Sequence, residues 1–378
     1  MDIMKENQKR SVGVITMHRV INYGSFLQAY ATQQAIEKLN FTCEIIDYVF
    51  PNEWHYQNGL HDHRNIKSII TEYTYRLGLI RSHRKRYNIE KAIAKYLNLS
   101  IKFDTPEAIH KAPPKYDVYV TGSDQTWNPK HTKGDTTFLL SFVPDNGRKI
   151  SFSASIAAKD MSQEYSGIFE KYLKKYDALS VRDSNGAEVV HSIINKSALV
   201  TLDPTLILNR EEWSEFALNE KSEYKNEKYI IFYLITHSFD PRPYIYELLF
   251  KLQQESGYKV YSFTKIPKEL NIDFYDCSDI SVENFISLFE HASFVVTSSF
   301  HGTAFAANFG VPLYSVVNDL NGHDDRQASL LSKLGIENCL VSVGTHFSEI
   351  NPKYDVIEEQ NKLNKLRLCA LSYLKSSL

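Results

Sequence analysis

Four short segments concentrate the side chains that can do chemistry. One reads Thr297-Ser298-Ser299-Phe300-His301-Gly302-Thr303. Hydroxyls, an imidazole and a glycine sit where a β-branched apolar run gives way to a helical pattern. A helix start offers unpaired N–H groups and a positive dipole end, so the segment has the form of an anion site, with His301 able to move a proton. A structural cap is the plainer alternative. A second segment, Thr121-Gly122-Ser123-Asp124-Gln125-Thr126-Trp127-Asn128-Pro129, packs an acid, two amides and an indole into one loop. Trp127 is of a type that stacks on a sugar ring, and Asp124 can accept from a hydroxyl. The same loop also reads as a capped turn with Trp127 plugging the core. A third, Ser180-Val181-Arg182-Asp183-Ser184, carries Arg182 at a strand end. There it either points into a cleft or pairs with Asp183 or a neighbouring carboxylate. The fourth, residues 18–28, runs Asn22-Tyr23-Gly24 into a helix start. Gly24 either admits a ligand to backbone N–H groups or makes a tight turn.

Other features carry less. His61-Asp62-His63 are adjacent loop residues, which rarely converge on one ion, so no metal site is expected. The run Arg81-Ser82-His83-Arg84-Lys85-Arg86 reads as a solvated helix face, or as a contact for an acidic acceptor or lipid headgroups. No G-x-G-x-x-G follows the first strand and no P-loop is present, so neither a nicotinamide nor an ATP site is expected.

All four segments fall after strands of an alternating α/β pattern. Apolar runs predict strands at 12–17, 43–49, 117–121, 149–155, 178–182 and 199–203. Helices fit at 26–39, 162–176 and 184–194. Residues 51–98 break the rhythm as a helical insertion, with helices near 66–79 and 85–97. The polar stretch 209–226 is taken as the boundary. A second set follows, with strands at 228–235, 258–263, 294–297 and 312–317 and helices at 243–254, 282–290, 301–309 and 324–334. The expected domains are 11–208, carrying the acceptor side, and 227–350, carrying the donor side, with a closing helix over 355–378. In such folds ligands bind outside the carboxyl ends of the strands.

Composition sets the limits. A chain of 378 residues is too long for one ordinary core. Its net charge of -2 gives no general attraction to nucleic acid or acidic membranes, so an anion site must be built locally. Four scattered cysteines without a CxxC pair, and a polar N-terminal stretch, fit a reducing cytoplasmic compartment. No stretch approaches the ~20 apolar residues of a membrane span.

As a set, the segments resemble the polysaccharide pyruvyl transferase family. The matching stretches are GVITMHRVINYGSFLQ from Gly13, VTGSDQTWNP from Val120, SFSASI from Ser151, LSVRDSNGA from Leu179, LDPT from Leu202 and SSFHGTAFA from Ser298. The resemblance spans nearly the whole chain, the insertion excepted. It implies an α/β fold of two Rossmann-like domains facing across a cleft, similar to two-domain (GT-B type) glycosyltransferases. It also implies phosphoenolpyruvate as donor, with no cofactor, and a sugar or lipid-linked oligosaccharide diol as acceptor. The product is a cyclic pyruvate ketal in a surface polysaccharide. Peripheral contact with the inner face of the membrane is compatible with such an acceptor. One departure stands out: the family's Arg before the apolar-His-Gly run is Ser299 here.

On this reading His301 is the general acid or phosphate partner and Asp124 the base. Arg182, Ser299, Phe300, Gly302, Thr303 and Arg326 are expected at the donor, and Asn22, Tyr23 and Trp127 at the acceptor. Two alternatives stay open. One is a glycosyltransferase with a nucleotide-sugar donor, for which Asp319, Asp324 and Asp325 offer ribose partners. The other is a non-catalytic sugar-binding relative, suggested by the Arg missing at Ser299.

Overall fold

In the computed structural model, residues 9–49, 70, 81–158, 160–218, 227–236, 239–319 and 326–378 are described. The helix expected at 66–79 (Ile70 apart), the His61-Asp62-His63 trio, Asp324 and Asp325 lie outside them.

The first apolar run forms β1 (Ser11–Ile15), which leads through Asn22 into α1 (Tyr23–Lys38) and then β2 (Thr42–Ile45). Residues of the insertion form α2 (Arg81–Tyr96), and α3 (Pro106–Lys111) follows. Next come β3 (Val118–Thr121), α4 (Pro129–Thr132), β4 (Arg148–Ser151), α5 (Gln163–Leu173), β5 (Ser180–Val181), α6 (Ser184–Ile194) and β6 (Leu199–Val200). The first sheet has the order β2-β1-β3-β4, all parallel, with Val12 opposite both Cys43 and Val118. Bridges from Ile150 to Ala178 and from Ala154 to Val181 attach the β5-β6 pair beside it.

The polar stretch expected as a boundary opens instead with a helix, α7 (Arg210–Ala217). Asn209 and Glu212 form a reciprocal capping box at its start. Trp213 buries its ring completely and donates its indole N–H to Thr205 O at 2.9 Å.

The second sheet is built from β7 (Tyr229–Tyr233), β8 (Lys259–Ser262), β9 (Phe274–Asp276), β10 (Phe294–Thr297), β11 (Leu313–Val317) and β12 (Leu340–Ser342). Between them lie α8 (Tyr244–Ser256), α9 (Val282–His291), α10 (Phe300–Phe309) and α11 (Arg326–Leu334). Its order is β12-β11-β10-β7-β8-β9, all parallel, which is the Rossmann order 3-2-1-4-5-6. The edge strands β9 and β12, of three residues each, are too short to give a periodic signal in the sequence.

Each sheet reverses its winding at one point: between β1 and β3 in the first, and between β7 and β10 in the second. Loops diverge at such a point and leave a crevice beyond the strand ends. The closing helix α12 (Val356–Ser377) ties both units together. Its Arg367 donates to Leu206 O at 2.7 Å and its Tyr373 hydroxyl to Ser151 O at 2.8 Å, while Gln360 reaches Ala307 O at 2.9 Å. One apolar cluster runs unbroken from Val12 and Phe26 through Trp213 to Phe285 and Phe305. The two Rossmann-like domains therefore share a core on their facing sides. Among the described residues no helix is long and apolar enough to cross a membrane.

Candidate functional site

The two switch points face one another, and a cleft opens where they meet. It encloses about 570 Å³ of empty space, its open mouth included. Asn22, Ser25, Asp124 and Gln125 line it from the first domain. Ile235, Phe239, Ser298, Ser299, Phe300, His301, Arg326 and Gln327 line it from the second.

Asp124 follows β3 in a left-handed conformation, φ 71°, which Asp tolerates better than most side chains. Its Oδ2 accepts the Ser25 hydroxyl at 2.6 Å and its Oδ1 the Gln125 N–H at 2.8 Å. Burial alone would raise this carboxyl. The charge His301 carries when protonated, that of Arg182 and the two hydrogen bonds outweigh it and hold the group below its ordinary range. Asp124 is therefore a carboxylate.

His301 sits in the first turn of α10 and is 9% exposed. One side of its ring lies against Gly24, where no Cβ would fit. Its Nε2 is buried without a hydrogen-bond partner, 3.8 Å from Asp203 Oδ2. Burial lowers the imidazole's affinity for a proton. Asp203 and Asp124 oppose that effect, Arg182 and Arg326 add to it, and the net shift is downward. The ring is neutral near pH 7.

Arg182 stands behind the cleft wall. Its Nη1 donates to Asp203 Oδ2 at 2.8 Å, and its guanidinium carbon lies 4.4 Å from the centre of the Phe300 ring. Nε and Nη2 are buried without partners. The partner carboxylate is thus Asp203 and not Asp183, which instead caps α6 through Gly186 N–H at 2.7 Å. Arg326, half-buried, lines the cleft directly.

Three expected site residues turn away from the cleft. Trp127 is fully buried, donates its indole N–H to Phe138 O at 3.3 Å, and meets Tyr176 edge to face. No face is left for a sugar, because the post-β3 loop pairs with the segment after β4, Trp127 N–H donating to Ser155 O at 3.2 Å, and carries the indole into the core. Tyr23 is also fully buried: it stacks on Phe285 at 4.5 Å, and its hydroxyl donates to Ile280 O. It fastens one domain to the other. Thr303 shares a 2.8 Å hydrogen bond with Ser315 beneath α10.

Of the remaining positions, Ser299, Phe300 and Asn22 line the cleft and Gly302 packs behind it. Ser299 Oγ accepts the Gly302 N–H at 3.3 Å, so the serine in the family Arg position caps its own helix. Gly302 is required because a Cβ there would strike the Thr297 side chain. Asn22 lines the cleft while its side chain caps α1 through Gly24 N–H at 2.8 Å. Gly24 therefore makes room for His301, which neither reading of the sequence anticipated.

Sequence reasoning missed Ser25, Gln125, Gln327 and above all Asp203. The acid of Leu202-Asp203-Pro204-Thr205 was visible only as part of a motif; the partners that tie it to the site, Arg182 and His301, are 21 and 98 positions away. Among the described residues no group of three His, Cys, Asp or Glu is placed to hold a metal ion.

A family model described as polysaccharide pyruvyl transferase matches residues 22–319. No curated protein matches the chain. Among solved structures, one similar chain is a putative UDP-N-acetylglucosamine 2-epimerase from Listeria monocytogenes, 12% identical with a TM-score of 0.50, covering 95% of this chain and 90% of that one. Another is UDP-N-acetylglucosamine 2-epimerase from Rickettsia bellii, 9% identical with a TM-score of 0.50, covering 98% of this chain and 97% of that one. At such identities the likeness shows the fold alone, the two-domain GT-B type.

Proposed function

The chain belongs to the polysaccharide pyruvyl transferase family, and we propose that it moves a pyruvyl group from phosphoenolpyruvate onto a sugar diol, closing a cyclic ketal. The observation that carries the reading is the meeting, across one cleft, of the Asp124 carboxylate and the His301 imidazole, with Arg182 behind the wall and Arg326 on it. The proposed setting is cytoplasmic assembly of a surface polysaccharide, with a sugar or lipid-linked oligosaccharide as acceptor.

The chemistry follows from the charges. His301 is neutral at rest because burial disfavours its cation. A donor with a phosphate and a carboxylate brings negative charge beside it and raises its affinity for a proton. The imidazole is thereby armed by the substrate it serves. The imidazolium gives its proton to C3 of the enol, and the C2=C3 electron pair forms the new C–H bond. C2 becomes electrophilic, and one sugar hydroxyl adds while Asp124 accepts its proton. Phosphate leaves with the C–O electron pair, and the second hydroxyl closes the ring, giving its proton to the His301 imidazole left neutral by the first step. Arg182 and Arg326 stabilise the anionic groups throughout. Removing a general acid or base typically costs ~10²–10⁴ in rate.

The test is ligand binding followed by thermal shift and calorimetry. Phosphoenolpyruvate is expected to stabilise the protein and uridine diphosphate sugars to leave it unchanged. Stabilisation by a nucleotide-sugar alone would overturn the reading in favour of glycosyl transfer. Binding of neither donor, with binding of an oligosaccharide, would favour a non-catalytic sugar-binding protein.

A further inference from the structure

Asp203 lies beneath the cleft, its side chain fully buried, where it cannot touch a substrate. It caps a short turn after β6, and its two oxygens face different partners. Oδ1 is spent locally, accepting Thr205 N–H at 2.9 Å and the Thr205 hydroxyl at 2.7 Å. That fixes the plane of the carboxyl group. Oδ2 accepts Arg182 Nη1 at 2.8 Å and the Ser123 hydroxyl at 2.9 Å, and it stands 3.8 Å from His301 Nε2. That last separation is about an ångström too long for a hydrogen bond. Yet Nε2 is sealed from water with no other partner. A buried N–H in that position is costly until it finds an acceptor.

We propose that Asp203 is the positioning residue of the site: its Oδ2 takes the Nε2–H of His301 once an anion fills the cleft, leaving the other ring nitrogen to carry the proton that moves. The donor identity rests on the pyruvyl reading; the pairing itself does not. Asp124 does not fill this role, since its oxygens are held by Ser25 and Gln125 at the cleft surface. Asp203 remains a carboxylate throughout. Burial works against its charge, but His301, Arg182 and the Thr205 and Arg182 hydrogen bonds hold the group down at about 2. The ionisable groups acting on His301 are Asp203, Asp124, Arg182 and Arg326, each from a separate element. Of the two acids, Asp203 is the one without access to the cleft.

The experiment follows the His301 ring proton by NMR across pH, in the unliganded protein and with phosphoenolpyruvate. In Asp203→Asn the titration is expected to move to lower pH by about one unit or more. The alkaline limb of kcat should move down with it, while the donor KM changes far less. Ser123→Ala removes one donor from Oδ2 and sharpens its field, so there the titration is expected to move the other way, by roughly a few tenths of a unit. An unmoved His301 titration in folded Asp203→Asn overturns the proposal. If that variant does not fold, an unmoved titration in Ser123→Ala does so. A shifted titration in a protein that never turns over phosphoenolpyruvate would keep the pairing and sink the pyruvyl reading instead. Turnover with an unmoved titration would do the reverse.

Discussion

Gly24 and His301 compete for the same space: the imidazole lies where any side chain on Gly24 would have to go. The first turn of a helix in one domain is thus shaped around the imidazole of the other. Gly24→Ala removes no hydrogen bond, and Ala favours a helix over Gly by about 1 kcal/mol. The clash with the buried imidazole outweighs that gain, so the melting temperature is expected to fall by a few degrees and kcat/KM at least tenfold as the ring is pushed aside. Steady-state kinetics and a melting curve on one preparation check both halves.

His301→Ala and Asp124→Asn are each expected to lower kcat by ~10²–10⁴. Asparagine is the informative replacement at Asp124, because it also tolerates the left-handed backbone, φ 71°, and keeps an oxygen for Ser25. Near-normal turnover in a folded variant would demote that residue to a structural one.

Arg182 and Arg326 separate on two axes. On sequence grounds Arg182→Lys should weaken the donor with little change in stability. The structure reverses the second half, since the Arg182–Asp203 pair is buried, with side chains 1% and 0% exposed. Breaking a buried pair by removing one partner typically costs ~3–5 kcal/mol. Arg182→Ala should therefore unfold at lower denaturant as well as bind the donor poorly. Arg326→Ala, at the cleft surface, should lose donor affinity with stability nearly intact. Denaturant melts with calorimetry distinguish them.

Stability should also depend on pH through Glu359 on α12. Burial pushes this carboxyl up to about 7, against the weaker opposing pull of Gln360 and Arg367. Its Oε1 has no hydrogen-bond partner. The folded protein thus holds a proton that the unfolded chain has released, and stability falls as pH rises from about 4.5 to about 7. The loss is of order 3 kcal/mol at most. Glu359→Gln should flatten that slope and raise the melting temperature above pH 7, which denaturation at a series of pH values would show.

The sequence by itself determined the alternating α/β order, the positions of most strands and helices, and the loops that matter, because a post-strand loop is recognisable from apolar periodicity and from local caps. It carried His301 and Asp124 to the cleft for that reason. It also carried the family, through motifs whose order survives in the linear chain. It could not distinguish an indole facing solvent from one facing the core, and Trp127 and Tyr23 turned inward. The helix after Asn209 was overlooked because the stretch reads as polar, although Asn209 and Glu212 form a capping box there; Trp213 against Thr205 and the shared core hold it in place. Only the tertiary structure decided what the charged residues pair with. Arg182 has Asp183 beside it in sequence, yet takes Asp203, which the turn after β6 brings beside it beneath the cleft, while Asp183 is spent on its own helix. Gly24 changed meaning in the same way: its close packing depends on the imidazole that the other domain brings near, and that distance is set by the fold, not by spacing along the chain.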